Sequence, residues 1–398
     1  MNVSSVLSHR RVIGTDRSGL PIYQLTGAVG GYATEGDVLV NKTADGVDLN
    51  QIWEEVNAVV ALYNAERSAY ATLLSFPTTA VAEPITQAVG SDSFEEASEF
   101  GVPSSVNQPA DSLLVGYDFK DFDKATRLTW RFLRDASAQQ VNAQLQRIIE
   151  ADNKLITGTI LDRLLNPAER VSKEGQRVFA LYTGTDGITP PPHLGKTFPA
   201  TTKHYFTSAS PLLDSSDVED MINSIVRKGY ASAGRGKLVI FCSAVEAELI
   251  QTWKKGVVNG DAGRATAKHD FIPSSASDPY FTTSQIVGAI PEGDYNTIKV
   301  LGQYGPALLL EPTEFMPAGY VAVVATGGPN SSINPVGFRE HTSPEYRGLR
   351  MIPGMQQRYP LQESLFARAF GTGVRHRGAA AVCQVTTATT YTAPVIRR

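Results

Sequence analysis

The most constraining feature of this chain is one long amphipathic run that begins at Ser137. Val141, Leu145, Ile148, Ile149, Leu155, Ile156, Ile160, Leu164 and Leu165 recur at helical spacing until Asn166–Pro167 stops the pattern. Residues 137–166 at about 1.5 Å each predict a rod of roughly 45 Å. Whatever else the chain folds into must cover the apolar face of that rod. With 398 residues there is material for it: at roughly 150 residues per domain, two or three packed units are expected. Hydrophobic residues at 42% and charged residues at 19% are a globular composition.

Before the rod the chain changes character twice. Residues 1–47 carry Gly14, Gly19, Pro21, Gly27, Gly30, Gly31 and Gly36 between short β-branched stretches and read as an extended arm. Asp48 and Gln51 have capping-box spacing, and Ile52, Val56, Val59, Val60, Tyr63, Tyr70, Leu73 and Leu74 predict a helix over 48–75 that Phe76–Pro77 ends. Residues 76–117 scatter Pro77, Pro84, Pro103 and Pro109 among Ser, Thr and Val, so no helix fits. As a two-stranded ribbon this segment would project about 60 Å.

After a Gly/Pro-rich connector (184–199) the pattern becomes α/β. A helix capped by Asp214 or Ser215 runs to Lys228, a strand covers Leu238–Cys242, and a second helix spans Ser243 to about Lys255. Strands follow near 297–301, 307–310 and 320–325. The tail predicts strands over 366–374 and 379–387.

No reaction chemistry emerges. Gly234–Lys237 lacks the preceding strand and the following Ser/Thr of a phosphate loop, and Gly371–Gly373 lacks the third glycine of a dinucleotide fingerprint. His9, His193, His204, His269, His341 and His376 are dispersed, with no metal-ligand spacing. Cys242 and Cys383 support neither a disulfide framework nor a zinc site. No catalytic residue, cofactor or metal is expected. The start lacks a secretory pattern and no apolar run reaches the ~20 residues needed to span a bilayer, so a soluble, cytoplasmically made protein with no membrane partner is expected.

The charge layout says more. Segment 76–117 holds Glu83, Asp92, Glu95, Glu96, Glu99 and Asp111 and no Lys or Arg, whereas 339–398 holds nine Arg, no Lys and three acids. Arg suits fixed carboxylate contacts. An acidic projection and an Arg-rich body on one chain predict that copies meet each other, with Glu95, Glu96 and Glu99 near Arg127, Arg131, Arg134, Arg347, Arg350 or others of the 339–377 set. At a formal charge of -4 the chain is no dedicated nucleic-acid coat.

The order of elements resembles the major capsid protein of tailed bacteriophages, a fold shared with encapsulin shells. The likeness rests on Phe94–Pro103 (FEEASEFGVP), the helix ending Leu164-Leu-Asn-Pro167, Phe366–Val382 (FARAFGTGVRHRGAAAV) and the helix–strand–helix from Asp214 to Lys255. It covers nearly the whole chain and is nearest to phages infecting actinobacteria.

The resemblance implies an α+β fold. Residues 1–75 would be an N-terminal arm with helix 48–75, and 76–117 an extended β-ribbon loop. A peripheral domain would take 118–202 and 366–398, with spine helix 137–166, and an α/β axial domain 203–365. Leu145, Ile149, Ile156 and Leu164 of the spine would face the peripheral-domain sheet.

Its function would be self-assembly into hexamers and pentamers of an icosahedral shell around double-stranded DNA, packaged without sequence specificity. Virions would assemble in the host bacterial cytoplasm. Residues 1–47 lack the length and heptads of a built-in scaffolding segment, which implies a separate scaffolding protein, with a portal and room for a decoration protein. An encapsulin-like nanocompartment enclosing enzymes is the alternative. The arm, its helix and the longer chain favour the virus.

Overall fold

The spine helix begins with a reciprocal cap. The Ser137 hydroxyl accepts from the Gln140 amide and the Gln140 side chain accepts from the Ser137 N–H at 3.0 Å, starting a 28-residue helix, Ala138–Leu165. Asn166 closes it, its N–H on the Asp162 carbonyl. In a computed structural model, residues 12–15, 17–23, 42–65, 68–86, 96, 101, 112–185, 187–199, 201–232, 234, 236–259, 263–276, 290–353 and 361–396 are described.

Two sheets use the helix as a common support. The larger has eight strands, in the order Phe271–Pro273, Ile298–Tyr304, Ala307–Leu310, Lys237–Cys242, Tyr320–Thr326, Ala380–Gln384 and Tyr205–Thr207, with Asp294–Tyr295 added on Ile298–Tyr304. The smaller orders Arg350–Pro353, Leu361–Val374, Val336–Arg339 and Ser75–Thr78, with Lys120–Thr129 also paired to the 14-residue strand Leu361–Val374. Gly371 belongs there because a β-carbon would run into the Asp118 carbonyl.

The expectation that the spine faces one sheet is corrected. Ile156, Ile160 and Leu164 share a core with Val239, Val300 and Val324 of the larger sheet and with Phe338, Phe370 and Val374 of the smaller. From Ile156 to Leu165 every residue is buried, so the amphipathic stripe becomes a helix enclosed all round. Arg163 is carried inside with it and donates to the carbonyls of Asn166 (3.1 Å) and Ala168 (2.5 Å). Burial pulls its pKa down to about 10. Ile149, nearer the N-terminal end, is only half-buried beside the helix Leu49–Ala65, and the Leu145 side chain lies outside the described residues. Truncating Ile156 or Leu164 to Ala should cost about 2–5 kcal/mol, with Ile149→Ala costing less. Denaturant melts of the subunit will show this order, and unchanged midpoints for the first two would contradict it.

Two further boundaries differ from the sequence reading. The helix expected over 48–75 is two helices, Leu49–Ala65 and Ala69–Leu74; Ser68 starts the second by accepting from the Ala71 amide. A break at 365/366 would fall inside the strand Leu361–Val374. Beyond it, Ala380–Gln384 joins the larger sheet. The reason is burial on both faces: Ala380 and Val382 enter one core and Ala381 and Cys383 the other, which only a central strand permits.

One asparagine ties the sheets together, and a second ties the larger sheet to the helix Ala69–Leu74. Asn334 is fully buried and donates to the carbonyls of Thr72, Ser75 and Gly328, each at 3.0 Å, while accepting from Thr326 and the Gly327 amide. Asn296 lies in a two-residue turn whose members, Asn296 and Thr297, both have positive φ. Its amide donates to Ala69 O (3.0 Å) and Thr72 Oγ1 (2.9 Å).

Candidate functional site

The expected projection is present at its root. Ala82–Thr86 pairs antiparallel with Ser112–Gly116, residue 82 opposite 116 and 86 opposite 112. That is the start of a two-stranded ribbon. Of its acidic set, Glu96 is described and exposed, while Glu95 and Glu99 lie outside the described residues. Glu83, at the root, is paired within the chain: its carboxylate lies 3.3 Å from Arg375 and accepts from Thr78 Oγ1.

The Arg-rich C-terminal stretch divides differently from the charge reading. Arg339 donates to Tyr117 O (3.1 Å) and Glu174 (2.8 Å), and Arg368 pairs with Asp152 at 2.6 Å with both side chains buried. Arg377 is buried on the Ala180 and Ile188 carbonyls. These three are therefore not available to a neighbour's loop. A guanidinium taken out of water needs acceptors at once, and the nearest are in its own chain. Arg347 is exposed yet directs two donors at the His341 and Thr342 carbonyls, and Arg350 stacks on Tyr346. Arg127 and Arg131 are exposed on the strand and short helix after the ribbon; the Arg134 side chain lies outside the described residues.

Sequence charge missed the exposed apolar positions. Val59 and Leu62 protrude from the helix Leu49–Ala65, Leu62 at 74% exposure. Ile352 and Leu365 stand opposite each other on adjacent strands, each about two-fifths exposed. Val81 and Leu114 are exposed at the ribbon root, Leu114 opposite Pro84. In the first helix the signal was a stripe too wide for one core, since Val56 and Val60 already fill the inward face.

Among the described residues, no group of His, Cys, Asp and Glu could hold a metal ion. There, no helix is long and apolar enough to cross a membrane. Burial pushes both thiols, Cys242 and Cys383, well above the usual range. A recess of about 730 Å³ sits between the first helix, the Asn296 turn and the 340–348 loop, and its Asn64 is already bonded both ways to Leu349.

Fully buried His204 and half-buried His376 predict a fold that weakens in acid. Burial lowers His204 and His376 to about 4, His376 also lying against His193 and Tyr230. Between about pH 6.5 and 4 the unfolded chain takes protons that the fold refuses, so stability falls as pH falls through that window. Asp217, pushed up to about 6 by burial, and Asp152, raised by burial, work the other way, but they begin to take protons at lower pH than the unfolded histidines do. Urea midpoints should drop from pH 7 to pH 5, and His376→Gln should flatten the slope. A midpoint independent of pH would contradict this.

No protein-family model and no curated protein matches the chain. Among solved structures it is similar to a chain of Mycobacterium phage Patience, at 35% identity over 93% of this chain and 97% of that one, with a TM-score of 0.67. Weaker likenesses are to the mature capsid of bacteriophage PhiM1 (10% identity, 81% and 88% covered, TM-score 0.42) and to the holo-SrpI encapsulin complex of Synechococcus elongatus PCC 7942 (12%, 85% and 98%, TM-score 0.43). The first likeness runs nearly end to end over a ribbon, an enclosed spine helix and two sheets, and on it the chain belongs to the major capsid proteins of tailed bacteriophages.

Proposed function

We infer that this chain is the shell-forming subunit of a tailed-phage virion, associating with copies of itself into hexamers and pentamers of an icosahedral capsid. The observation that carries the reading is the near full-length match to the Mycobacterium phage Patience chain. The surface supports it. An acidic ribbon leaves the body, its root residue Glu83 paired with Arg375 and Glu96 exposed, and apolar side chains stand exposed on the first helix, the smaller sheet and the ribbon itself. Each is a surface that a second copy can cover.

In this reading the lobe on the smaller sheet is peripheral and the lobe on the larger sheet axial, gathered at the capsomer axes. Double-stranded DNA fills the interior without sequence-specific contacts, in keeping with a net charge of -4. A separate scaffolding protein and a portal act during assembly in the host cytoplasm, and a decoration protein can be added to the finished surface. The ribbon of one copy lies on its neighbour, where Arg127 and Arg131 are among the exposed cations at the smaller sheet.

Exposed pairs are worth only about 0–1 kcal/mol each, so their effect comes from repetition round the shell. Changing Glu95, Glu96 and Glu99 together to Lys should abolish particles in electron micrographs while the subunit melts as wild type. Normal particle yield from the triple variant would remove the loop from the assembly mechanism.

A further inference from the structure

At the carbonyl end of the helix Ser215–Val226 lies a recess of about 460 Å³ that the shell reading does not use. Lys203, Arg227 and Lys228 line it, with the Thr201 and Thr202 hydroxyls, the ring of Phe206, and Asp220 as its carboxylate. None of the ion pairs among the described residues engages any of these three cations. Lys228 is buried. Its ammonium donates to Thr197 O at 2.7 Å and sits 4.9 Å from the Phe198 ring, leaving donors directed elsewhere. Burial and the adjacent Arg227 both disfavour its charge. The end of the helix offers roughly half a negative charge, well short of three cations.

We propose that this recess binds a phosphate group. Three cations and two threonines line one recess, which suits four oxygens and up to two negative charges. A single carboxylate offers only two oxygens and one charge. The phosphate can belong to a nucleic-acid backbone or to a small free phosphate, and the test separates the two.

Full-length subunits are titrated calorimetrically with sodium pyrophosphate and with a short DNA duplex. Wild type should bind pyrophosphate, the double variant Lys203→Gln/Arg227→Gln should bind roughly tenfold or more weakly, and Asp220→Asn should bind more tightly. Lys203, Arg227 and Asp220 are all exposed, so these variants should melt as wild type. Absent heat in wild type, or equal affinity in the double variant, overturns the proposal. If the double variant also loses duplex binding and pyrophosphate competes with the duplex, the phosphate is a DNA backbone contact. If duplex binding is unchanged while pyrophosphate binding falls, the ligand is a free phosphate. The readout needs no assembled particle, so its failure leaves the shell assignment standing.

Discussion

Arg368→Met should lower the unfolding free energy of the subunit by about 3–5 kcal/mol, among the largest effects of any single substitution in the chain. Arg368 and Asp152 have side chains only 5% and 4% exposed, and they meet at 2.6 Å. Tyr63 of the first helix donates to the same carboxylate oxygen at 2.9 Å, so one contact ties the N-terminal helix, the spine and the longest strand. Burial raises the pKa of Asp152 even with Arg368 beside it, which means desolvation outweighs the attraction it receives. Removing the cation leaves that cost uncompensated.

Two signs follow from this. The double variant Asp152→Asn/Arg368→Met should recover most of the loss, because neither charge is then buried alone. The single variant should also be less impaired at pH 4–5 than at pH 7, because a carboxyl whose folded pKa is raised is favoured by protonation. Denaturant midpoints of the single and double variants at both pH values test the argument. A single variant within 1 kcal/mol of wild type, judged against the typical ~1 kcal/mol mutational effect, would show that the pair is not holding the three elements.

Local signals read correctly wherever periodicity and capping are strong. The spine helix was legible to within a residue because Ser137, Gln140 and Asn166–Pro167 act on their own backbone. The strand over Leu238–Cys242 and those near 297–301, 307–310 and 320–325 were legible from apolar runs between turns. What the sequence hid depends on partners distant along the chain. The burial of Asp162 and Arg163 on the polar side of the spine is decided by a second sheet closing over it. The passage of Ala380–Gln384 into the larger sheet is decided by apolar side chains on both its faces. Charge counting failed at Arg339, Arg368 and Arg377 for a related reason: a count along the chain sees the guanidinium and not the carbonyl or carboxylate that folding brings to it.

Mature particles boiled in denaturant without reductant should run as a single band near 42.9 kDa. A covalent amide link between subunits needs an amine nucleophile, a carboxamide and a carboxylate to take the proton in a dry site. Residues 76–117 supply carboxylates and Asn107 and no amine. The lysines just after the ribbon, Lys120 and Lys124, sit exposed on the strand Lys120–Thr129 of the body, Lys120 at 3.4 Å from Asp118. Fixed there, they cannot follow the ribbon tip onto a neighbour. Disulfides are equally disfavoured: Cys242 and Cys383 lie in central strands with about 1% exposure or less, and burial pushes both thiols away from the reactive thiolate. On the proposed assembly, the shell would then be held by repeated burial of the ribbon, the exposed face of the first helix at Val59 and Leu62, and the Ile352–Leu365 strip. Each copy contributes little, but no subunit can leave without uncovering all of these surfaces at once. A ladder at multiples of the subunit mass would refute this, and it would place the linking lysine outside the ribbon.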